Sequence, residues 1–193
     1  IEELGRVDQS MGITLSAGVG LGANPIFRFG SDDQKAQWLP DLVAGRALGG
    51  FGLTEPDGGS DAGATKTRAR REGDEWVLDG SKAFITNCGT DITSITTVTA
   101  RTDDGISAFI VPMDTDGVQI EKHLDKMGQR ATDTSAFALT DVVVPAANRL
   151  GEEGEGFKIA MKTLDFTRPG TAAGAVGVAQ AAFEFAVEYA KER

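Results

Sequence analysis

The sequence predicts an α+β fold: a helical opening over residues 1–48, a β-rich middle over 49–150, and a helical ending over 151–193. Three observations carry the prediction. A capped amphipathic pattern closes the first segment, short β-branched runs separated by turn residues fill the second, and an alanine- and glycine-rich run makes up the third.

In the opening segment, Ser31 followed by Asp32, Asp33 and Gln34 has the form of a capping box. The serine oxygen can accept from the third backbone N–H, the glutamine can reach back, and the acids suit the positive end of a helix. Trp38, Leu39, Leu42 and Val43 then supply an apolar stripe, interrupted by Pro40, with Gly45 placed to end it. Upstream, Gly18-Val19-Gly20-Leu21-Gly22-Ala23 matches the dinucleotide pattern G-x-G-x-x-A after the strand-like Ile13-Thr14-Leu15. Such a site also needs a helix opening at the glycines within a parallel βαβ unit. Pro25 and the antiparallel texture downstream argue against it, so these small residues are expected to serve packing. The uncharged run Gln9 to Phe27 is too rich in glycine and polar residues for a bilayer span. Glu2, Glu3 and Asp8 stand where a signal peptide would carry cations, and a chain that opens on Ile1 is expected to be a piece of something longer.

The middle segment offers Trp76 to Leu78, Ala83 to Thr86, Ile92 to Ala100, Ile106 to Val111, Val118 to Ile120 and Ala136 to Val144 as short strands. Gly73-Asp74, Asp79-Gly80 and Asp103-Asp104-Gly105 are expected turns. Regular short strands of this kind favour a sandwich or a barrel. Gly151 to Gly156 reads as a solvated connection into a last helix from about Phe157, whose small residues between Gly170 and Ala182 would let another helix approach closely. Pro169 is expected to kink or interrupt that helix, and Glu184 and Glu188 speak against a membrane segment.

Composition narrows the chemistry. Nineteen basic against 29 acidic residues give a net charge of −10, which disfavours nucleic acid and anionic membranes as partners. One cysteine, Cys88, permits no internal disulfide, and one histidine, His123, cannot build a multi-histidine metal site. Cys88 is expected to be a packed residue, His123 a surface or strand-end residue, and Glu55, next to Pro56, a structural hydrogen-bonding carboxylate.

The informative segment is Phe51-Gly52-Leu53-Thr54-Glu55-Pro56-Asp57-Gly58-Gly59-Ser60-Asp61. Read alone, it is either a plain surface turn or a nest whose backbone N–H groups and Ser60 hydroxyl hold an anion such as pyrophosphate. A second segment, Lys82-Ala83-Phe84-Ile85-Thr86-Asn87, reads by itself as β-core.

The order FGLTEPDGGSDAGA, DGSKAFITN, ISAFIVP, KMGQRATDT and GFKIAMKTLDFTRP resembles the acyl-CoA dehydrogenase family, continuously from about Gly30 to the end. Closest are the medium- and short-chain members, and RATDT and LDFTRP lean towards the medium-chain type. The resemblance implies a middle β-barrel domain over 49–150, flanked by the end of an N-terminal helical domain over 1–48 and the first helix of a C-terminal one over 151–193. It further implies FAD as cofactor, a homotetramer, a cytoplasmic or, in a eukaryote, mitochondrial-matrix location, and α,β-dehydrogenation of acyl-CoA with electrons passed to an electron-transfer flavoprotein. A flavin oxidase or monooxygenase of the same fold, or a non-catalytic FAD- and CoA-binding assembly module, are the alternatives.

By the same resemblance, Phe51, Gly52, Leu53, Thr54, Gly59 and Ser60 line the flavin, Ser60 where it meets the thioester's pantetheine arm. Phe84, Ile85 and Thr86 flank the ring, the Thr86 hydroxyl facing the nitrogen that accepts hydride, and Ser60, Asp165, Phe166, Thr167 and Arg168 face the acyl-CoA. Some branches of the family carry the general-base glutamate at the position of Thr167. Threonine cannot serve, so the base is expected beyond Arg193, the isolated chain is expected to be inactive, and its uncovered faces are expected to self-associate.

Overall fold

A computed structural model describes residues 1–193. The helical opening contains α1 (Glu2–Val7), α2 (Gln9–Ala17), a π-helical stretch (Gly18–Ala23), α3 (Asn24–Phe29) and α4 (Asp32–Val43). Asp8 caps α2 by accepting from the Ser10 N–H at 2.8 Å. The strand-like Ile13-Thr14-Leu15 therefore lies inside a helix, where this cap and the helical ladder override β-propensity. No strand precedes the glycines, and Pro25 sits in the first turn of α3, where a missing N–H is tolerated.

The predicted capping box is present: Gln34 N–H donates to Ser31 Oγ at 3.1 Å, and Ser31 N–H to Gln34 Oε1 at 3.0 Å. Gln34 Nε2 also donates to the carbonyls of Ala147 and Arg149, tying α4 to the far end of the β-region. Pro40 does not end α4, which stops before Gly45, a residue with φ of +70°.

The β-region contains β1 (Leu48–Gly52), β2 (Arg68–Glu72), β3 (Glu75–Thr86), β4 (Thr93–Thr102), β5 (Gly105–Pro112), β6 (Val118–His123), β7 (Thr134–Pro145) and β8 (Arg149–Leu150). The sheet runs β6-β7-β3-β2-β4-β5-β8, with β1 pairing β4 off this path. β1 runs parallel to β4, from Gly49 opposite Ile95 to Gly52 opposite Val98, whereas β2 touches β4 only where Arg68 meets Arg101. The two short strands thus share one edge of β4, and residues 53–67 loop out between them.

Asp79-Gly80 is not a turn, and the two strands predicted around it are one. The register shifts between Leu78 and Gly80, where φ is +150° and a side chain would collide with Thr67. A bulge bends β3 instead of reversing it.

Thirteen buried residues, among them Trp76, Leu78, Val98, Phe109, Phe137 and Val142, form the main core. A second cluster of Ile26, Ile95, Ala108, Ile110, Leu150 and Ile159 joins the helices to the sheet. Its last member belongs to α5 (Gly156–Lys191), which runs unbroken past Pro169. Pro169 and Asp165 are both exposed, so the carbonyl left without an intrahelical donor can be hydrated. The small-residue face receives a neighbour as expected: Gly174 lies against Gln9, and Arg6 of α1 pairs with Glu184.

Candidate functional site

Two segments meet where the chain leaving β1 runs beside the end of β3. β1 delivers Phe51 and Gly52, and the chain continues through half-buried Leu53 and Thr54 into a tight turn closed by Glu55 N–H to Gly58 O at 3.0 Å and its reciprocal at 3.1 Å. The end of β3 lies alongside, because Ala83 N–H donates to Thr54 O at 2.9 Å. Both segments that the family resemblance assigns to the flavin are therefore neighbours.

Within β3 the register shifts between Lys82 and Ile85, and Phe84 takes a φ of +61°. The bulge turns its ring outward, 66% exposed, while Ile85 remains buried. The reading of this segment as plain β-core holds for Ile85 and fails for Phe84, since a bulge breaks the alternation of faces. The Thr86 hydroxyl is half-buried and has no hydrogen-bond partner within the chain; Ser60 is exposed and equally unpartnered. Gly59 is exposed beside it.

Beneath this surface lies Glu55, whose carboxylate accepts from Lys66 N–H at 2.7 Å, Thr67 N–H at 3.0 Å and Lys82 Nζ at 2.8 Å. It is the structural carboxylate the sequence suggests. Burial alone would raise its pKa, but the hydrogen bonds from Lys82, Thr67 and Lys66 prevail and hold it at about 2. Lys82 is pushed down to about 8 by burial, against the opposing pull of Glu55, so both partners are charged near neutrality.

A pH dependence follows. Glu55 contributes its full stability above its ordinary value of 4.5 and loses it as pH falls towards about 2. The difference in melting temperature between wild type and Glu55→Gln is expected to be largest at pH 5–7 and to shrink steadily below about pH 4. A difference that is constant from pH 6 to 2.5 would contradict this assignment.

Asn87, next to Thr86, has a φ of +62° and is fully buried; its Nδ2 donates to Thr14 O in α2 at 3.0 Å. This links the end of β3 to the helices. On their other side, a β-carbon at Gly20 would lie 2.6 Å from the Thr167 methyl. Leu15, Val19 and Gly20 face Phe166, Thr167 and Gly170 across a groove of about 720 Å³, and Phe166 also borders a second groove of about 450 Å³ with Phe27 and Leu39. Thr167 turns its hydroxyl back to Leu164 O at 3.0 Å. Asp165 and Arg168 are exposed and pair with each other. No hydrogen bond joins Ser60 to these four residues.

The sequence reading missed Lys82 as a buried charge, Asn87 as the link to α2, and Leu15 and Val19 as groove walls. A larger groove of about 960 Å³ follows β2, where Arg68, Arg71 and Arg101 mix with Asp103, Asp104 and Glu153; it contains none of the predicted site residues. His123 ends β6 at the surface and meets both Asp133 Oδ1, at 3.1 Å, and Ser135 Oγ, at 3.0 Å, through the same nitrogen, Nδ1. A proton relay needs opposite ring nitrogens, so this group is structural: Asp133 holds Gly89 N–H at 2.8 Å in the turn after β3. Cys88 is buried, as expected, and burial followed by the Asp133 charge pushes its thiol up to about 12.

The architecture and the paired segments define a family. Residues 50–142 match the middle domain of acyl-CoA dehydrogenases, residues 1–46 the N-terminal domain and residues 154–193 the C-terminal domain, and the chain belongs to the acyl-CoA dehydrogenase family. It is 50% identical to the probable acyl-CoA dehydrogenase YngJ of Bacillus subtilis, over 100% of this chain and 52% of that protein. The butyryl-CoA dehydrogenase structure of Megasphaera elsdenii superposes with a TM-score of 0.96 at 50% identity, covering 100% of this chain and 51% of that one. An acyl-CoA dehydrogenase of Bacillus anthracis complexed with FAD superposes with a TM-score of 0.93 at 39% identity, over 100% and 34% of the respective chains. The chain spans about half the length of the curated relatives it matches.

Proposed function

We propose that the full-length protein is an FAD-dependent acyl-CoA dehydrogenase that introduces a trans-2 double bond into a short straight-chain acyl-CoA. One observation carries the reading: the Ala83–Thr54 hydrogen bond sets two flavin-facing segments side by side, with the Thr86 and Ser60 hydroxyls free to engage a ligand. The residues present fit FAD. Phe84 offers an exposed aromatic face, Thr86 an unused donor for a ring nitrogen, and Leu53 and Thr54 a half-buried edge.

FAD bound there would supply a two-electron acceptor for the β-hydrogen, while a carboxylate takes the α-proton. The chain's own residues orient and shield. Phe51, Gly52 and Ile85 back the site from the core side, Gly59 and Ser60 border it at the rim, and Phe166 and Thr167 present α5 to the groove beside Leu15 and Val19. Thr167 is no base, and we place the glutamate base outside residues 1–193. The preference for short chains rests on the butyryl-CoA dehydrogenase likeness and replaces the medium-chain lean of the motifs. An electron-transfer flavoprotein is the proposed acceptor. The proposed location, cytoplasm or mitochondrial matrix, follows the relatives, which include a mitochondrial short-chain enzyme of Mus musculus.

By length and composition α5 could also cross a bilayer. Its match to the C-terminal domain and its ion pair with α1 support a helix of a helical domain instead. Val176, Val178, Phe183, Phe185 and Tyr189 are exposed along it and suit packing by further helices and copies, in keeping with a homotetramer.

The test is an anaerobic titration of the full-length protein with butyryl-CoA and octanoyl-CoA. Stoichiometric flavin bleached at lower concentration by butyryl-CoA is the expected result. Absence of flavin, or flavin that neither thioester reduces, would overturn the assignment, and reduced flavin that dioxygen reoxidises rapidly would indicate an oxidase. Thr86→Val is expected to slow flavin reduction by about tenfold, the worth of one neutral hydrogen bond of about 1–1.5 kcal/mol. An unchanged rate would remove Thr86 from the site.

A further inference from the structure

Lys82 is fully buried between the two register shifts of β3, an arrangement that costs several kcal/mol per ion unless every donor is met. Every donor is met. Nζ reaches Glu55 Oε1 at 2.8 Å, Leu53 O at 3.3 Å and Thr99 Oγ1 at 3.3 Å, and Thr99 Oγ1 in turn donates to Gly52 O at 3.3 Å. The stem passes under β1 because position 52 is glycine: a β-carbon there would lie 3.1 Å from Lys82 Cγ and 3.2 Å from Phe137 Cζ. Glu55 meanwhile holds the N–H groups of Lys66 and Thr67, where the 53–67 loop returns to the sheet.

The pair therefore grips the loop at its entrance, its turn and its exit, from a residue two positions before Phe84 and four before Thr86. Apolar residues of similar volume serve stability as well as a buried ion pair, so stability alone gives no reason for this one. We propose that Lys82 and Glu55 are a positioning pair that fixes the spacing between the two flavin-facing segments and so sets the affinity and redox environment of the bound flavin. The proposal rests on the flavin reading given above.

The test uses the full-length protein and two variants, Lys82→Met/Glu55→Gln, which removes both charges together, and Thr99→Val, which removes one arm with little change of shape. Each is read by the melting temperature of the apoprotein, the dissociation constant for FAD, the shape of the visible flavin band and the midpoint potential. The double variant is expected to melt within a few degrees of wild type, to bind FAD at least tenfold more weakly and to show an altered band and potential. Thr99→Val is expected to weaken FAD binding two- to fivefold. A folded double variant with wild-type affinity, band and potential would reduce the pair to a structural role, and should the double variant not fold, wild-type behaviour in Thr99→Val leads to the same conclusion. Wild type without bound flavin would overturn the flavin reading and this proposal together, whereas flavin-loaded wild type with indifferent variants overturns the pair alone.

Discussion

Phe109→Ala is expected to destabilise the protein by about 3–5 kcal/mol, the usual cost of emptying a fully buried aromatic position. Phe109 is completely buried in β5, opposite Val98 of β4 and Arg149 of β8, with its ring tilted 59° to Trp76 at a centroid distance of 5.2 Å. Removing it leaves Trp76 without its aromatic partner and opens a void among side chains from β3, β4 and β7 that β-sheet backbones cannot move to fill. Urea denaturation monitored by tryptophan fluorescence measures the loss directly, since Trp76 reports on the emptied site. A change below about 1 kcal/mol would show that the core around Phe109 is not packed as described.

Gly22→Val carries the second large effect, and it acts on function as well as stability. A β-carbon at Gly22 would lie 2.7 Å from Gly49 O and 2.9 Å from Gly49 C and Cα, all backbone atoms of β1 that cannot step aside as a flexible side chain could. Overpacking of this kind typically costs about 1–3 kcal/mol, and here the strain falls on the strand that delivers Phe51 and Gly52. A drop in FAD affinity of at least tenfold is expected in the full-length protein, beyond what the lowered melting temperature explains. Equilibrium dialysis of FAD at a temperature well below the transition separates the two effects. Unaltered binding would mean that β1 does not position the flavin.

The sequence made the class of each segment legible because local signals and tertiary context agree there. Ser31 and Gln34 form their box, Glu55 is satisfied, Cys88 is packed and His123 lies at a strand end. Three features stayed hidden for three physical reasons. Ile13-Thr14-Leu15 is β-prone but follows an Asp8 cap, and a helix once started carries such residues. Asp79-Gly80 has the composition of a hairpin turn, yet β7 pairs on both sides of it and stretches it into a bulge. The partnership of Lys82 with Glu55 spans 27 positions, and no periodicity links residues so far apart. Phe84 and Thr86 were legible as a motif, but only a register shift shows why the ring faces outward.

The π-helical turn at Gly18–Ala23 has a further effect on the helix it interrupts. A π turn holds one residue more than an α turn, so the segments before and after it are out of phase by about 100°. Leu15 can therefore face α5 across the groove while Ile26, about three turns on, points into the core beneath the sheet. One nearly continuous rod serves two differently oriented surfaces. Deleting a single glycine from it would restore an ordinary α turn and leave Ile26 facing the core, whereas a deletion from the α-helical turns on either side would swing the later side chains by about 100° away from the sheet.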